Sequence, residues 1–174
     1  MASKEKSISK YQHLQHGFPA CYDEDSEILI LGSFPSVKSR AVSFYYGHPQ
    51  NRFWGVLSAI YKVNIPSDID KKRLFLHDAH IALYDVIESC DIVGSSDASI
   101  KNVVATDIFS ILSRTKIRKI FLNGKTAGKL FIKFQKELVE KGFPYLVLPS
   151  TSPANAATNL DDLIKIWGEA LTKN

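Results

Sequence analysis

Stretches rich in branched and aromatic residues recur at residues 28–31, 81–84, 117–122 and Tyr145–Leu148. Their apolar positions mostly run consecutively and do not alternate with polar ones, as expected of parallel strands covered on both faces. Between them the apolar spacing turns helical. Phe53, Trp54, Leu57, Ile60 and Tyr61 predict a helix over residues 49–61, with Pro49 suited to its first position because its missing N–H costs nothing there. Further helices are predicted over residues 69–79 and 107–113, the second with Thr106 as cap. Ala127, Leu130, Phe131, Phe134 and Leu138 mark one amphipathic helix ending before Gly142. A last helix spans residues 160–171, with Leu163, Ile164 and Trp167 facing inward. This alternation predicts a single α/β domain with a central, mostly parallel four-stranded sheet flanked by helices. Residues 1–25 read as an N-terminal lead-in carrying Lys4, Lys6 and Lys10, with Gly17-Phe18-Pro19 docking on the body, and residues 26–174 as the domain itself.

At 174 residues, with 45% hydrophobic and 11% aromatic positions, the chain can bury one substantial core. A net charge of +4 suits phosphate contact but is also common among proteins that never meet nucleic acid. Cys21 and Cys90 are too few for a disulfide framework, an iron–sulfur cluster or a four-ligand zinc site, so they read as buried free thiols, and no metal or organic cofactor is implied. The polar N-terminus lacks the apolar core of a signal peptide, and no run reaches the roughly 18 residues of a membrane span. A soluble, cytoplasmic protein acting as a monomer is expected.

Two strand-to-loop transitions carry the candidate chemistry. Residues 28–31 run into Gly32-Ser33-Phe34-Pro35-Ser36, and Tyr145–Leu148 runs into Pro149-Ser150-Thr151-Ser152-Pro153-Ala154-Asn155. Ligands of open α/β sheets bind outside the carboxyl ends of strands, so both loops and the turn Tyr45-Tyr46-Gly47-His48-Pro49-Gln50-Asn51 are expected to meet in one crevice. Enzymes that act on a base must take it out of the stack, which requires an aromatic floor, polar groups for the base edge and a loop for the vacated space.

The segments Gly32-Ser33-Phe34-Pro35, His48-Pro49-Gln50-Asn51-Arg52-Phe53-Trp54 and Ser150-Thr151-Ser152-Pro153-Ala154-Asn155 resemble the motifs of the uracil-DNA glycosylase superfamily, specifically its hypoxanthine-DNA glycosylase branch. Ile81-Ala82-Leu83-Tyr84-Asp85-Val86, Gly94-Ser95-Ser96-Asp97 and Phe121-Leu122-Asn123-Gly124-Lys125 resemble internal segments in the same order. Many members carry Asn or Asp in the first motif to handle water, whereas Phe34 stands here. The resemblance to the hypoxanthine branch transfers the leading role to Asn51.

The resemblance implies that Asn51 is catalytic, stabilising the departing base or positioning water, and that Gly32, Ser33, Phe34, Tyr46 and His48 surround the base, with Tyr46 stacking on it. It further implies DNA contact by Lys125, Ser150, Thr151, Ser152, Pro153, Ala154 and Asn155. Plainer roles exist for several of these residues: packing for Phe34, helix capping for His48, and turn or cap roles for Asp85 and Asp97. Gln50 and Arg52 read first as solvent-facing polar residues flanking Asn51, with Arg52 as an alternative brace for the second loop. The implied partner is double- or single-stranded DNA containing a deaminated base. A uracil or thymine mismatch glycosylase and a non-catalytic nucleic-acid-binding domain of the same fold remain alternatives. A serine hydrolase built on Ser33 does not, because the local sequence is no nucleophile elbow.

Overall fold

The computed structural model describes residues 10–173. Its main sheet has the strand order β3-β2-β6-β7, all parallel, formed by β2 (Ile28–Gly32), β3 (Ile81–Asp85), β6 (Lys119–Asn123) and β7 (Tyr145–Leu148). Of the four stretches read as apolar strands, β2 and β3 are buried at every position. β7 is an edge strand, and Leu146 and Val147 are exposed, so its apolar run reflects edge packing more than two-sided cover.

The helices are α1 (Val37–Val42), α2 (Phe53–Tyr61), α3 (Ile69–Asp78), α4 (Ile108–Leu112), α5 (Lys125–Phe134), α6 (Lys136–Glu140) and α7 (Leu160–Thr172). The α2 helix packs on α7, with Phe53 edge-on to Trp167, and the Trp167 indole N–H donates to the Pro149 carbonyl at 2.9 Å. This fixes the base of the second loop.

Three expectations are corrected. First, α2 begins at Phe53, so Pro49 and Asn51 belong to the turn before it and Pro49 is not the first helical residue. Second, the predicted amphipathic helix is two helices. Buried Gln135 leaves helical geometry at φ −111° and ψ 41°, and its side chain donates to the Thr106 carbonyl at 2.8 Å. Third, Asp107 and not Thr106 caps α4, accepting from Ser110 N–H, while the Thr106 hydroxyl donates to the Asp85 carbonyl.

The largest departure is a second, antiparallel sheet of order β1-β4-β5, formed by β1 (Gln12–Gln15), β4 (Ile87–Ile92) and β5 (Lys101–Ala105). β1 and β5 carry too few buried side chains to show strand periodicity. Phe34, Ile87, Cys90 and Ile92 form a small core on this sheet. Much of the expected lead-in is thus built into the fold: β1 pairs with β4, His16 is buried, Phe18 joins the core and Cys21 bridges to Leu83. Lys4 and Lys6 lie outside the described residues.

Candidate active site

The carboxyl ends of β2, β3, β6 and β7 open into one cleft of about 320 Å³, within the range of small-molecule sites. It is lined by the first loop from Gly32 to Ser36, by Tyr46, His48 and Asn51 of the turn, by Asp85, Asp97 and Asn123, and by residues 150–154. The three separated segments therefore meet. Asn155 and Lys125 do not line the cleft.

The centre of the arrangement is a hydrogen-bond chain whose polarity can be read without ambiguity. The Phe53 backbone N–H can only donate, so its partner at 2.9 Å is the Asn51 side-chain oxygen, Oδ1. Likewise, Thr151 N–H donates to Asn123 Oδ1 at 3.0 Å, which leaves Asn123 Nδ2 to donate to Thr151 Oγ1 at 2.9 Å. The Thr151 hydroxyl, receiving that proton donor, gives its own hydrogen to Asn51 Oδ1 at 2.9 Å. Asn51 Oδ1 is thus occupied by two donors. What it presents to the cleft is its NH₂ group, a fixed pair of donors on a rigid support.

Arg52 takes the alternative considered for it and braces the second loop. Its backbone N–H and side chain donate to the Thr151 carbonyl at 3.0 and 3.4 Å, and Nη2 donates to the carbonyls of Ser152 and Asn155, each at 2.9 Å. Nη1 donates to the Thr158 carbonyl. One planar cation therefore gathers carbonyls from across the loop, which a lysine's single ammonium would not reproduce.

Each predicted residue has a definite place. Thr151 is fully buried and its N–H and hydroxyl are engaged within the protein, so the DNA contact expected of it is corrected: it joins Asn51 to Asn123. Asn155 spends its amide on the Ser150 carbonyl at 2.9 Å, bracing the loop. Ser152 accepts from Ala154 N–H, while Pro153 and Ala154 are exposed at the cleft mouth. Lys125 is exposed at the first turn of α5. His48 Nδ1 accepts from Gln50 N–H at 3.1 Å, the turn-capping role, while the ring also faces the cleft. Phe34 does both things considered for it, packing on the small sheet's core and lining the cleft.

Tyr46 is unusual. Its backbone lies in the left-handed region at φ 53°, strained for an aromatic residue, and Phe53 stacks on its ring with centroids 3.9 Å apart. Its hydroxyl is buried at the cleft floor without a well-formed hydrogen bond. Burial, and next the charge of Asp85, push this phenol far up, and the nearby Asn123 side chain only partly opposes them, so it stays protonated. Ser33 donates to Asp97 Oδ1 at 3.0 Å. Desolvation in the cleft raises the Asp97 carboxyl, the Ser33 bond opposes this, and Asp85 adds to it. The Cys90 thiol is pushed up to about 11, mainly by burial, and is no ready nucleophile.

Comparison with known proteins agrees with this architecture. Residues 19–171 match the family model described as the uracil DNA glycosylase superfamily. A hypoxanthine DNA glycosylase of Methanosarcina acetivorans is 36% identical over 144 residues, covering 82% of this chain and 89% of the relative. One from Methanosarcina barkeri is 34% identical over 162 residues, covering 91% and 99%. A solution NMR structure of a Methanosarcina acetivorans protein, named for the uracil DNA glycosylases, superposes with a TM-score of 0.75 at 33% identity, covering 92% of this chain and 99% of that one. With the motif loops gathered at the carboxyl ends of a four-stranded parallel sheet and the match running over most of its length, the chain belongs to the uracil DNA glycosylase superfamily.

Proposed function

We propose that this protein is a monofunctional DNA glycosylase that extrudes a deaminated base, foremost hypoxanthine in deoxyinosine, and hydrolyses its N-glycosidic bond to leave an abasic site. The observation that carries the reading is the Asn51 amide, whose oxygen is held by Phe53 N–H and the Thr151 hydroxyl so that its NH₂ group faces the cleft. The names of the Methanosarcina relatives support the choice of base.

As the bond from sugar C1′ to the base nitrogen breaks, its electron pair leaves with the base and positive charge develops on the sugar. Donors fixed in advance at the base edge stabilise the departing anion without reorganising. Asn51 supplies such donors. Water then forms the new bond at C1′ and releases a proton, so no amine nucleophile and no metal enters the sequence of steps. Phe34 makes no hydrogen bonds through its side chain, which leaves the charge stabilisation to Asn51. His48, Gly32 and Ser33 enclose the base. Pro153 and Ala154, exposed at the cleft mouth, suit insertion into the vacated stack, while Ser150, Ser152 and Lys125 suit the flanking phosphates. We further propose that the protein acts on DNA as a monomer.

The test is base release from labelled duplexes and single strands carrying inosine, uracil or thymine opposite guanine. Hypoxanthine release exceeding uracil and thymine release, with strand scission only after alkali, is the expected outcome. Preferential release of uracil or thymine would assign a mismatch specificity instead. Binding without release of any base would assign a non-catalytic domain.

A further inference from the structure

His16 and Asp85 form a buried pair that the chemistry above does not use. His16 comes from the segment after β1 and is 1% exposed; Asp85 ends β3 and is 5% exposed. His16 Nδ1 lies 2.8 Å from the Phe18 carbonyl, which can only accept, so Nδ1 carries a hydrogen. Nε2 lies 2.7 Å from Asp85 Oδ2. Whichever partner holds the proton between Nε2 and Oδ2, the second oxygen, Oδ1, remains an acceptor, and it is turned toward the space beside Gly32. The other titratable groups near Asp85 are the phenols of Tyr45, Tyr46 and Tyr84 and the carboxyl of Asp97, so His16 is the basic side chain that faces it.

Asp85 Oδ1 has a neighbour of opposite polarity. A Cβ built on Gly32 would stand 2.5 Å from Asp85 Oδ1 and 3.5 Å from the Tyr46 hydroxyl oxygen, so both atoms border the same small space, which exists because residue 32 has no side chain. The Tyr46 hydroxyl is buried with the Asn123 side chain nearby but no well-formed hydrogen bond, so its hydrogen is uncommitted, and its backbone lies in the left-handed region. The floor thus offers an acceptor beside a donor.

We propose that Asp85 and Tyr46 together read the lactam edge of the extruded base, Asp85 Oδ1 accepting its ring N–H and the Tyr46 hydroxyl donating to the adjacent carbonyl, with His16 as the positioning residue that fixes the Asp85 carboxyl. This inference rests on the cleft being a base pocket. The pairing follows from deamination chemistry. Conversion of an amino-substituted ring to a lactam turns the ring nitrogen from acceptor into donor and replaces the amine by a carbonyl, at hypoxanthine and uracil alike. An acceptor–donor floor matches the deaminated form, and an acceptor oxygen repels the lone pair of the intact ring nitrogen.

The experiment measures duplex binding with the full chain, using a 2′-fluoroarabino hypoxanthine nucleotide, which resists cleavage, and the same duplex carrying unsubstituted purine, which lacks both the N–H and the carbonyl. The parent is expected to prefer hypoxanthine by about tenfold or more, as for hydrogen bonds involving a charged group. Tyr46→Phe deletes one oxygen that has no well-formed protein bond, so its melting temperature should hold while the preference falls at least about threefold. Asp85→Ala should bring the preference near unity, and His16→Phe, which keeps ring packing against Phe18 and Tyr84 but removes the donor, should lower it toward the Asp85→Ala value. A parent preference below about threefold, or a preference unchanged in Tyr46→Phe and His16→Phe, overturns the proposal. Because the readout is binding, a parent that releases no hypoxanthine from a cleavable duplex would sink the glycosylase reading without deciding this one.

Discussion

The floor and the rim of the cleft are held by different devices. At the floor, side chains fix side chains: His16 holds Asp85, Asn123 holds Thr151, and Thr151 with Phe53 N–H holds Asn51. At the rim, Arg52 grips backbone carbonyls at residues 151, 152, 155 and 158, and the loop's own Ser150, Ser152 and Asn155 side chains bond its backbone, so side chains there hold main chain. A floor built this way decides which base fits and how its leaving charge is met. A rim built this way decides where DNA sits. Substitutions at the floor should therefore change selectivity or the chemical step, and substitutions at the rim should weaken every substrate together.

The sharpest test of that division is Asn51→Asp. The carboxylate keeps an acceptor for Phe53 N–H and Thr151 while replacing the two cleft-facing donors with a repelling oxygen. Single-turnover excision should fall by about 10²–10³, as when one preorganised donor is lost. Duplex affinity and melting temperature should change little. Excision within threefold of the parent would remove Asn51 from the chemistry.

Arg52→Lys tests the rim. Losing the planar fork should cost about 1.5–3 kcal/mol of stability, the scale of hydrogen bonds to a charged group, and loosen residues 151–158. Limited proteolysis within that segment should accelerate, and affinity for inosine and uracil duplexes should drop by the same factor, about tenfold. A drop confined to one base would show that the rim contributes to selectivity and break the division.

Gly32→Ala attacks the floor sterically, because its Cβ would approach Asp85 Oδ1 to 2.5 Å. Relief by moving Asp85 should cost about 1–3 kcal/mol, as other overpacked sites do. Calorimetry should show that loss, and excision of inosine should fall relative to that of uracil, whose smaller ring reaches less deeply. Unchanged relative rates would mean that the base does not reach this floor.

Lys125→Ala should have the smallest effect. An exposed lysine at one phosphate is expected to lower the slope of log affinity against log salt by about one, weakening all duplexes equally. Excision at saturating duplex should be unaffected. An unchanged salt slope would place the DNA path elsewhere on the rim.

The apolar runs of β2 and β3 determined their place in the sheet, because a fully buried parallel strand needs consecutive apolar residues and little else does. The strand-to-loop transitions after residues 31 and 148 likewise told where a cleft would open, since such loops emerge at the carboxyl ends of parallel strands. Local sequence could not report the small sheet, whose strands β1 and β5 are stabilised by pairing with β4 and show no periodicity of their own. It offered Arg52 as a brace for the second loop only as an alternative, because the choice depends on which carbonyls, about a hundred positions away, the fold brings within reach. Nor could it report how Thr151 and the His16–Asp85 pair are engaged. Their chemistry is set by burial and by partners distant in sequence, and only the tertiary structure turns a serine-rich turn and a polar N-terminal stretch into the support of a site.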